Sequence, residues 1–284
     1  MDHVPNLDRL PEHRELLKCA IARFRADDRV VGLVLSGSLS RGGAADFYSD
    51  IDLYIAVRND AFGSVLADRD VVAEGVGAPL FSFVIDPIPG GSQAHIVIYP
   101  GPVKIDFMYY RESDLVPDRK RAGRPLLKDS VGLMDAPASG TEGSALASPT
   151  AEVILELDQK FWTWCWYTFG KIMRGELWEA LDGVHNIRSL ALLPLLDWIS
   201  DRPHGGYRRL EQKVDSETAT RLQATTATLQ PEALYAALQA EIALFCESRA
   251  TIFDRYGLEV DAAPEELIKN AIYRRWSERK AQGR

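Results

Sequence analysis

Residues 50–57, DIDLYIAV, constrain this chain more than any other segment. Side chains of a strand alternate between the two faces of its sheet, so Asp50, Asp52 and Tyr54 share one face while Ile51, Leu53 and Ile55 share the other. Two carboxylates on a strand otherwise built of Ile, Leu and Val are costly unless they bind metal or reach water. A sheet that accepts this strand needs one covered face and one face open to charge. The run VKIDFMYY over 103–110 repeats the arrangement, with Lys104 and Asp106 sharing a face and Ile105 and Phe107 opposite them.

The flanking sequence supplies the rest of such a sheet. Residues 30–36 (VVGLVLS) predict a buried strand that ends in a turn at Gly37 and Ser38, and 80–86 and 94–99 predict two more strands. The PGP turn joins 94–99 to 103–110 as a hairpin. Helical spacing covers 11–26, with Leu16, Leu17, Ile21 and Phe24 on one face, and a further helix is expected over 60–69.

The segment Gly132–Pro149 is small, polar and proline-bearing, and the pattern changes after it. Helical spacing then fills 150–173, 176–200, 217–227, 230–254 and 263–280. The expected fold class is α+β. An N-terminal mixed sheet with flanking helices occupies a domain at 1–135, and an all-helical bundle forms a second domain at 150–284.

At 284 residues and 46% hydrophobic, the chain can fill two domains of ordinary size. A formal net charge of -8 disfavours non-specific nucleic-acid binding and suits a cationic small molecule. Cys19, Cys165 and Cys246 form neither a metal-ligand spacing nor a disulfide framework, which implies a reducing, cytoplasmic setting. The N-terminus lacks an apolar signal core, and no uncharged run approaches the roughly 18 residues of a membrane span.

The open acidic face suits nucleotidyl transfer. That chemistry must bind a triphosphate, make its α-phosphorus electrophilic and stabilise two transition-state oxygens. Two Mg²⁺ ions roughly 3.5–4 Å apart do so, and they need hard oxygen ligands on a rigid element. Asp50, Asp52 and Asp106 are the candidate metal ligands and catalytic carboxylates. Gly37 lets phosphate approach the backbone closely, Ser38 offers a hydroxyl, and a helix beginning near Leu39 would present its positive end to the same anion. Arg41 faces either the triphosphate or solvent. No GxxxxGK[ST] motif is present.

The pattern GSLSRG…YSDIDLYI, followed by IDF on a later strand, resembles the nucleotidyltransferase superfamily that includes DNA polymerase beta. With a helical second half it looks most like the aminoglycoside and lincosamide nucleotidyltransferases. The resemblance implies that Gly37 and Ser38 grip the triphosphate, that Asp50 and Asp52 chelate both metals, and that Asp106 is a further metal ligand or the catalytic base. It implies Mg²⁺ and ATP, or another nucleoside triphosphate, and a small-molecule acceptor such as a cationic antibiotic. Rival readings are a macromolecular acceptor (tRNA or protein) and a toxin–antitoxin component. A homodimer is compatible with the helical faces.

In the helical half, FWTWCWYTF (161–169) supplies core aromatics and offers a ring to an acceptor pocket. Lys171 is the candidate for a cation reaching the triphosphate, and Glu176 or Asp182 for binding an amino group. His185, Asn186 and Arg188 interrupt the apolar pattern near an expected helix start. Asp86 either orients an acceptor hydroxyl or caps a turn, and His95 is either a site residue or a packed strand histidine.

Overall fold

Pro11 opens helix α1 (Pro11–Ala26) at a position where its missing N–H would have had no partner. The helix buries Leu17, Ala20, Ile21 and Phe24 on one face. The structure, a computed structural model, describes residues 7–40, 45–88, 92–114, 125–130, 132, 148–202 and 204–282. The chain divides into two compact units, Met1–Glu142 and Gly143–Arg284.

In the first unit, α1 is followed by β1 (Val30–Leu35), β2 (Ile51–Val57), α2 (Phe62–Ala67), α3 (Arg69–Val76), β3 (Phe81–Ile88), β4 (Ser92–Tyr99), β5 (Val103–Arg111) and β6 (Leu126–Asp129). The strands form one mixed sheet in the order β3-β4-β5-β2-β1-β6. Neighbours are antiparallel except β2 and β5, which run parallel at the centre. Parallel neighbours need a long crossover, and here α2, α3, β3 and β4 supply it.

One face of this sheet is the core. Ile51, Leu53, Ile55, Ile105, Phe107, Val97 and Tyr99 pack there with Leu17, Phe24, Val65 and Val72 from the three helices. At alternate positions, Asp52 and Tyr54 of β2 and Lys104, Asp106, Met108 and Tyr110 of β5 are only half-buried. The helices thus cover one face and leave the other for polar groups.

Two features of this unit differ from the sequence expectation. The helix expected at 60–69 starts with a 3₁₀ turn at Asn59–Ala61, breaks at Asp68 and continues as α3 to Val76. Val71 and Val72 are β-formers by intrinsic preference, and burial of Val72 on the sheet overrides that preference. Strand β6 was not expected, because four residues, LLKD, carry too little alternation; its pairing with β1 is what makes it a strand.

The second unit holds α4 (Ala151–Arg174), α5 (Leu177–Ile187), α6 (Leu193–Ile199), α7 (Ser216–Ala224), α8 (Pro231–Tyr256) and α9 (Ala262–Ala281). Thr150 caps α4 by accepting from the Val153 N–H, and Gly175, at φ 75°, ends it in a left-handed turn. The core sets Phe161, Trp162, Cys165 and Phe169 of α4 against Leu238, Ile242 and Phe245 of α8, with Phe161 and Phe245 stacked face to face.

The single helix expected at 176–200 carries a π turn at Arg188–Leu192 between α5 and α6. The Leu193 N–H bonds to the Arg188 carbonyl, five residues back, just before Pro194, which has no N–H to continue a four-residue ladder. His185 and Asn186 therefore close α5 and Arg188 opens the π turn, rather than standing at a helix start. Gly183 is where α4 and α5 approach closely. A Cβ there would lie 2.4 Å from Thr168 Oγ1. Among the described residues, no helix is long and apolar enough to cross a membrane.

Candidate active site

The open face of the first unit carries the carboxylates. Parallel pairing sets Asp52 beside Asp106 and Ile51 beside Ile105. Asp50 lies one residue before β2, and Lys104 lies one residue before the Ile105 that pairs with Ile51. The Lys104 ammonium donates to Asp50 Oδ2 at 2.9 Å and to Asp106 Oδ2 at 3.0 Å. Asp106 is the most enclosed of the three, with its side chain 17% exposed against 41% for Asp50 and 32% for Lys104. Its Oδ1 is buried and has no hydrogen-bond partner among the described residues.

Charge and burial compete at this cluster. Burial pushes the Asp106 carboxyl above the usual carboxylate range, and the nearby Asp50 adds to it, while Lys104 pulls the other way. Burial disfavours the Lys104 ammonium, but its hydrogen bonds to Asp50 and Asp106 outweigh that and hold its pKa above the ordinary lysine value.

The turn after β1 closes the near side. The Ser36 N–H donates to the Asp52 carbonyl at 2.8 Å, which carries the β1–β2 ladder into the turn. Gly37 follows at φ 64°, a left-handed conformation suited to glycine. A Cβ on Gly37 would lie 1.7 Å from Asp52 Oδ2, so the carboxylate rests directly against this glycine. Ser40 Oγ donates to the Gly37 carbonyl at 2.8 Å, and buried Leu39 anchors the turn in the core. Residues 37–40 form turns, and residues 41–44, which would continue the helix expected near Leu39, lie outside the described residues. Arg41 lies outside the described residues.

The segment leading to Asp50 is held from below by a residue that sequence reasoning missed. His13 of α1, 1% exposed, bonds through Nε2 to the Ser49 carbonyl at 2.9 Å. Its partner is thirty-six residues away, so no local pattern marked it. Further along the open face, the rings of Tyr54 and Tyr110 stack at 5.4 Å.

Other candidates fall elsewhere. His95 pairs in register with Phe107 and so faces the helices, where Asp70 lies 3.3 Å from its Nε2. Burial lowers its pKa, against the pull of Asp70. Asp86 accepts from Gln93 Nε2 at 2.9 Å.

The donors present are all carboxylate oxygens, suited to a hard divalent ion. The partnerless Asp106 Oδ1 and the cradle at Gly37 fit one as well. Among the described residues, however, no group of three or more His, Cys, Asp or Glu side chains stands ready to hold a metal ion. Between two of the three carboxylates stands Lys104.

The second unit has a cleft of about 480 Å³ between α4 and α5. Trp164, Tyr167, Thr168, Glu179, Asp182 and Asn186 line it. Lys171 bonds to Glu176 at 2.7 Å and Glu179 at 2.8 Å, and the Tyr167 hydroxyl donates to Glu179. Hydrogen bonds from Lys171, then Arg174, bring the Glu176 carboxyl down to about 2. Lys171, and then Tyr167, likewise hold Glu179 below the usual range. Asn186 donates to Asp182 at 3.0 Å.

A family model described as streptomycin adenylyltransferase matches residues 11–273. Among solved structures, the chain is similar to an aminoglycoside 6-adenyltransferase from Bacillus subtilis. That match has 15% identity and a TM-score of 0.45, and covers 92% of this chain and 98% of that one. It is also similar to a nucleotidyltransferase-like protein from Exiguobacterium sibiricum 255-15, at 12% identity and a TM-score of 0.35, covering 86% of this chain and 79% of that one. No curated protein sequence matches the chain.

Proposed function

The chain belongs to the streptomycin adenylyltransferase family, and we propose that it transfers AMP from ATP to a hydroxyl group of a small antibiotic, an aminoglycoside or a lincosamide. The observation that carries this reading is the parallel register of β2 and β5, which sets Asp52 beside Asp106 on the open face, with Asp50 and Lys104 next to them. In this reading Asp50, Asp52 and Asp106 hold Mg²⁺. When bound, the ions withdraw charge from the α-phosphate and stabilise the departing pyrophosphate.

The chain's own groups do the rest. Gly37 and Ser38 contact the triphosphate, and the bare Cα of Gly37 leaves Asp52 its place. The acceptor hydroxyl gives its proton to Asp106 or a neighbouring carboxylate. Its oxygen bonds to the α-phosphorus as the bond to the bridging oxygen breaks, and pyrophosphate leaves with that electron pair. Burial raises the Asp106 pKa above the ordinary carboxylate value, the direction that favours a proton acceptor. Arg41 and Lys171 are further triphosphate contacts in this scheme. Lys171 would exchange Glu176 and Glu179 for phosphate oxygens to serve there.

The α4–α5 cleft supports a cationic acceptor. Glu179 and Asp182 offer anionic oxygens, and Trp164 and Tyr167 offer flat faces to a sugar ring. The aminoglycoside arm of the proposal draws most from this cleft. The test is pyrophosphate release from ATP and Mg²⁺ across aminoglycosides and lincosamides, with Asp52→Asn as control. Release that depends on one acceptor and disappears in the variant supports the proposal. No release with any small acceptor, under any of the four nucleoside triphosphates, would redirect it to tRNA or protein.

A further inference from the structure

Lys104 occupies a place that the proposed chemistry does not explain. Its ammonium touches one oxygen of Asp50 and one oxygen of Asp106, Oδ2 in each case, and leaves Asp106 Oδ1 buried without a partner. An ordinary structural ion pair would be expected to satisfy a buried carboxylate more fully. A compact point charge on a long flexible stem, with about a third of its side chain exposed, has a route out to water.

We propose that Lys104 is the resident counter-cation of the carboxylate site: it neutralises Asp50 and Asp106 while no divalent ion is bound, and withdraws when one binds. The inference rests on the metal reading above. Without Lys104, Asp50, Asp52 and Asp106 would crowd like charge onto adjacent central strands. With it, the sheet folds in the absence of metal, and an incoming ion must displace two charge-assisted hydrogen bonds. Lys104 thus strengthens the metal-free fold and weakens the apparent affinity for metal. The same exchange turns its positive charge toward the open face, where a triphosphate carries the opposite sign.

The experiment compares chelator-stripped wild type, Lys104→Met and Lys104→Arg. Free Mn²⁺ is followed by electron paramagnetic resonance during titration, and melting is followed in EDTA and in excess Mn²⁺. Lys104→Met should bind Mn²⁺ about tenfold or more tightly than wild type, since each competing charge-assisted contact it removes is a penalty on the ion. It should also melt lower than wild type in EDTA and recover most of the difference in Mn²⁺. Lys104→Arg should stay close to wild type in both. If Lys104→Met fails to fold in EDTA, isolating it with Mn²⁺ and removing the ion stepwise yields the same constant. Equal or weaker Mn²⁺ binding by Lys104→Met, with wild type binding normally, overturns the inference and leaves the metal site standing. No Mn²⁺ binding by any of the three overturns both.

Discussion

Each unit of this protein holds a cluster of one cation between two carboxylates, and the two clusters differ in exposure and in the kind of cation, although each leaves one buried polar atom, Asp106 Oδ1 or Arg249 Nε, without a partner among the described residues. In the first unit Lys104 bridges Asp50 and Asp106 on an open sheet face, with an oxygen left over. In the second unit Arg249, its side chain 5% exposed, bonds to Asp158 at 3.0 Å and also to Glu265. Trp162 Nε1 adds a bond to Asp158 at 3.2 Å, and Lys269 adds one to Glu265 at 3.0 Å. Burial disfavours the charge on Glu265, but hydrogen bonds from Lys269 and Arg249 prevail and hold its pKa below the ordinary value. The Arg249 guanidinium also lies over the rings of Trp162 and Phe253. A planar, permanently charged fork enclosed by aromatics suits a fixed joint between α4, α8 and α9. A flexible lysine at a water-facing edge suits a charge that moves.

That contrast is open to breakage from both sides. The largest expected effect is on turnover. Asp52→Asn should lower kcat by about a thousandfold or more, the scale of losing transition-state charge stabilisation, while its melting temperature holds or rises. A pyrophosphate-release assay beside a thermal melt checks both halves, and a large fall in stability would place Asp52 among structural groups instead. Arg249→Met should do the reverse. Stranding Asp158 and Glu265 should cost about 3–5 kcal/mol in urea unfolding, with kcat unchanged wherever the variant is folded. A loss of kcat at full folding would erase the distinction between the clusters.

Two smaller effects sharpen it. Paired Glu179→Gln and Asp182→Asn substitutions should raise KM for a cationic acceptor about tenfold, as expected for losing charge-assisted contacts of about 1.5–3 kcal/mol in part, while KM for ATP holds or falls, because Glu179 no longer competes for Lys171. Steady-state kinetics with each substrate varied in turn distinguishes these. Glu241 of α8 presents a third kind of titratable group, fully buried with neither oxygen bonded among the described residues. Burial raises its pKa well above 4.5, against the pull of Arg188. The folded state therefore holds the proton more tightly than the unfolded state. The contribution to stability is intact below about pH 4.5 and falls as pH rises toward the folded value. Glu241→Met should gain about 1–3 kcal/mol at pH 8 and less at pH 5, read from denaturant melts at the two values.

Much of the fold was legible because its signals are local. The apolar spacing over 11–26 coincides with α1, and the alternation at 94–99 and 103–110 coincides with the hairpin of β4 and β5. The residues that evaded reading depend on partners far along the chain. His13 meets Ser49, and Asp158 meets Arg249 ninety-one residues away. Strand β6 exists through its pairing with β1, and α3 through the burial of Val72 and Val76.

By itself, the sequence determined that strands bearing Asp50, Asp52 and Asp106 would each show one apolar and one charged face, since backbone geometry imposes that alternation wherever a strand forms. It also determined the helical character of the second half, through apolar spacing repeated over many turns. Only the tertiary structure decided that β2 and β5 lie side by side in parallel, with Asp52 opposite Asp106 and the Lys104 ammonium bonded to both Asp50 and Asp106. The physical reason is that strand order and register follow from burial summed over the whole core. Which cation meets which carboxylate is settled by contacts that no short stretch of sequence contains.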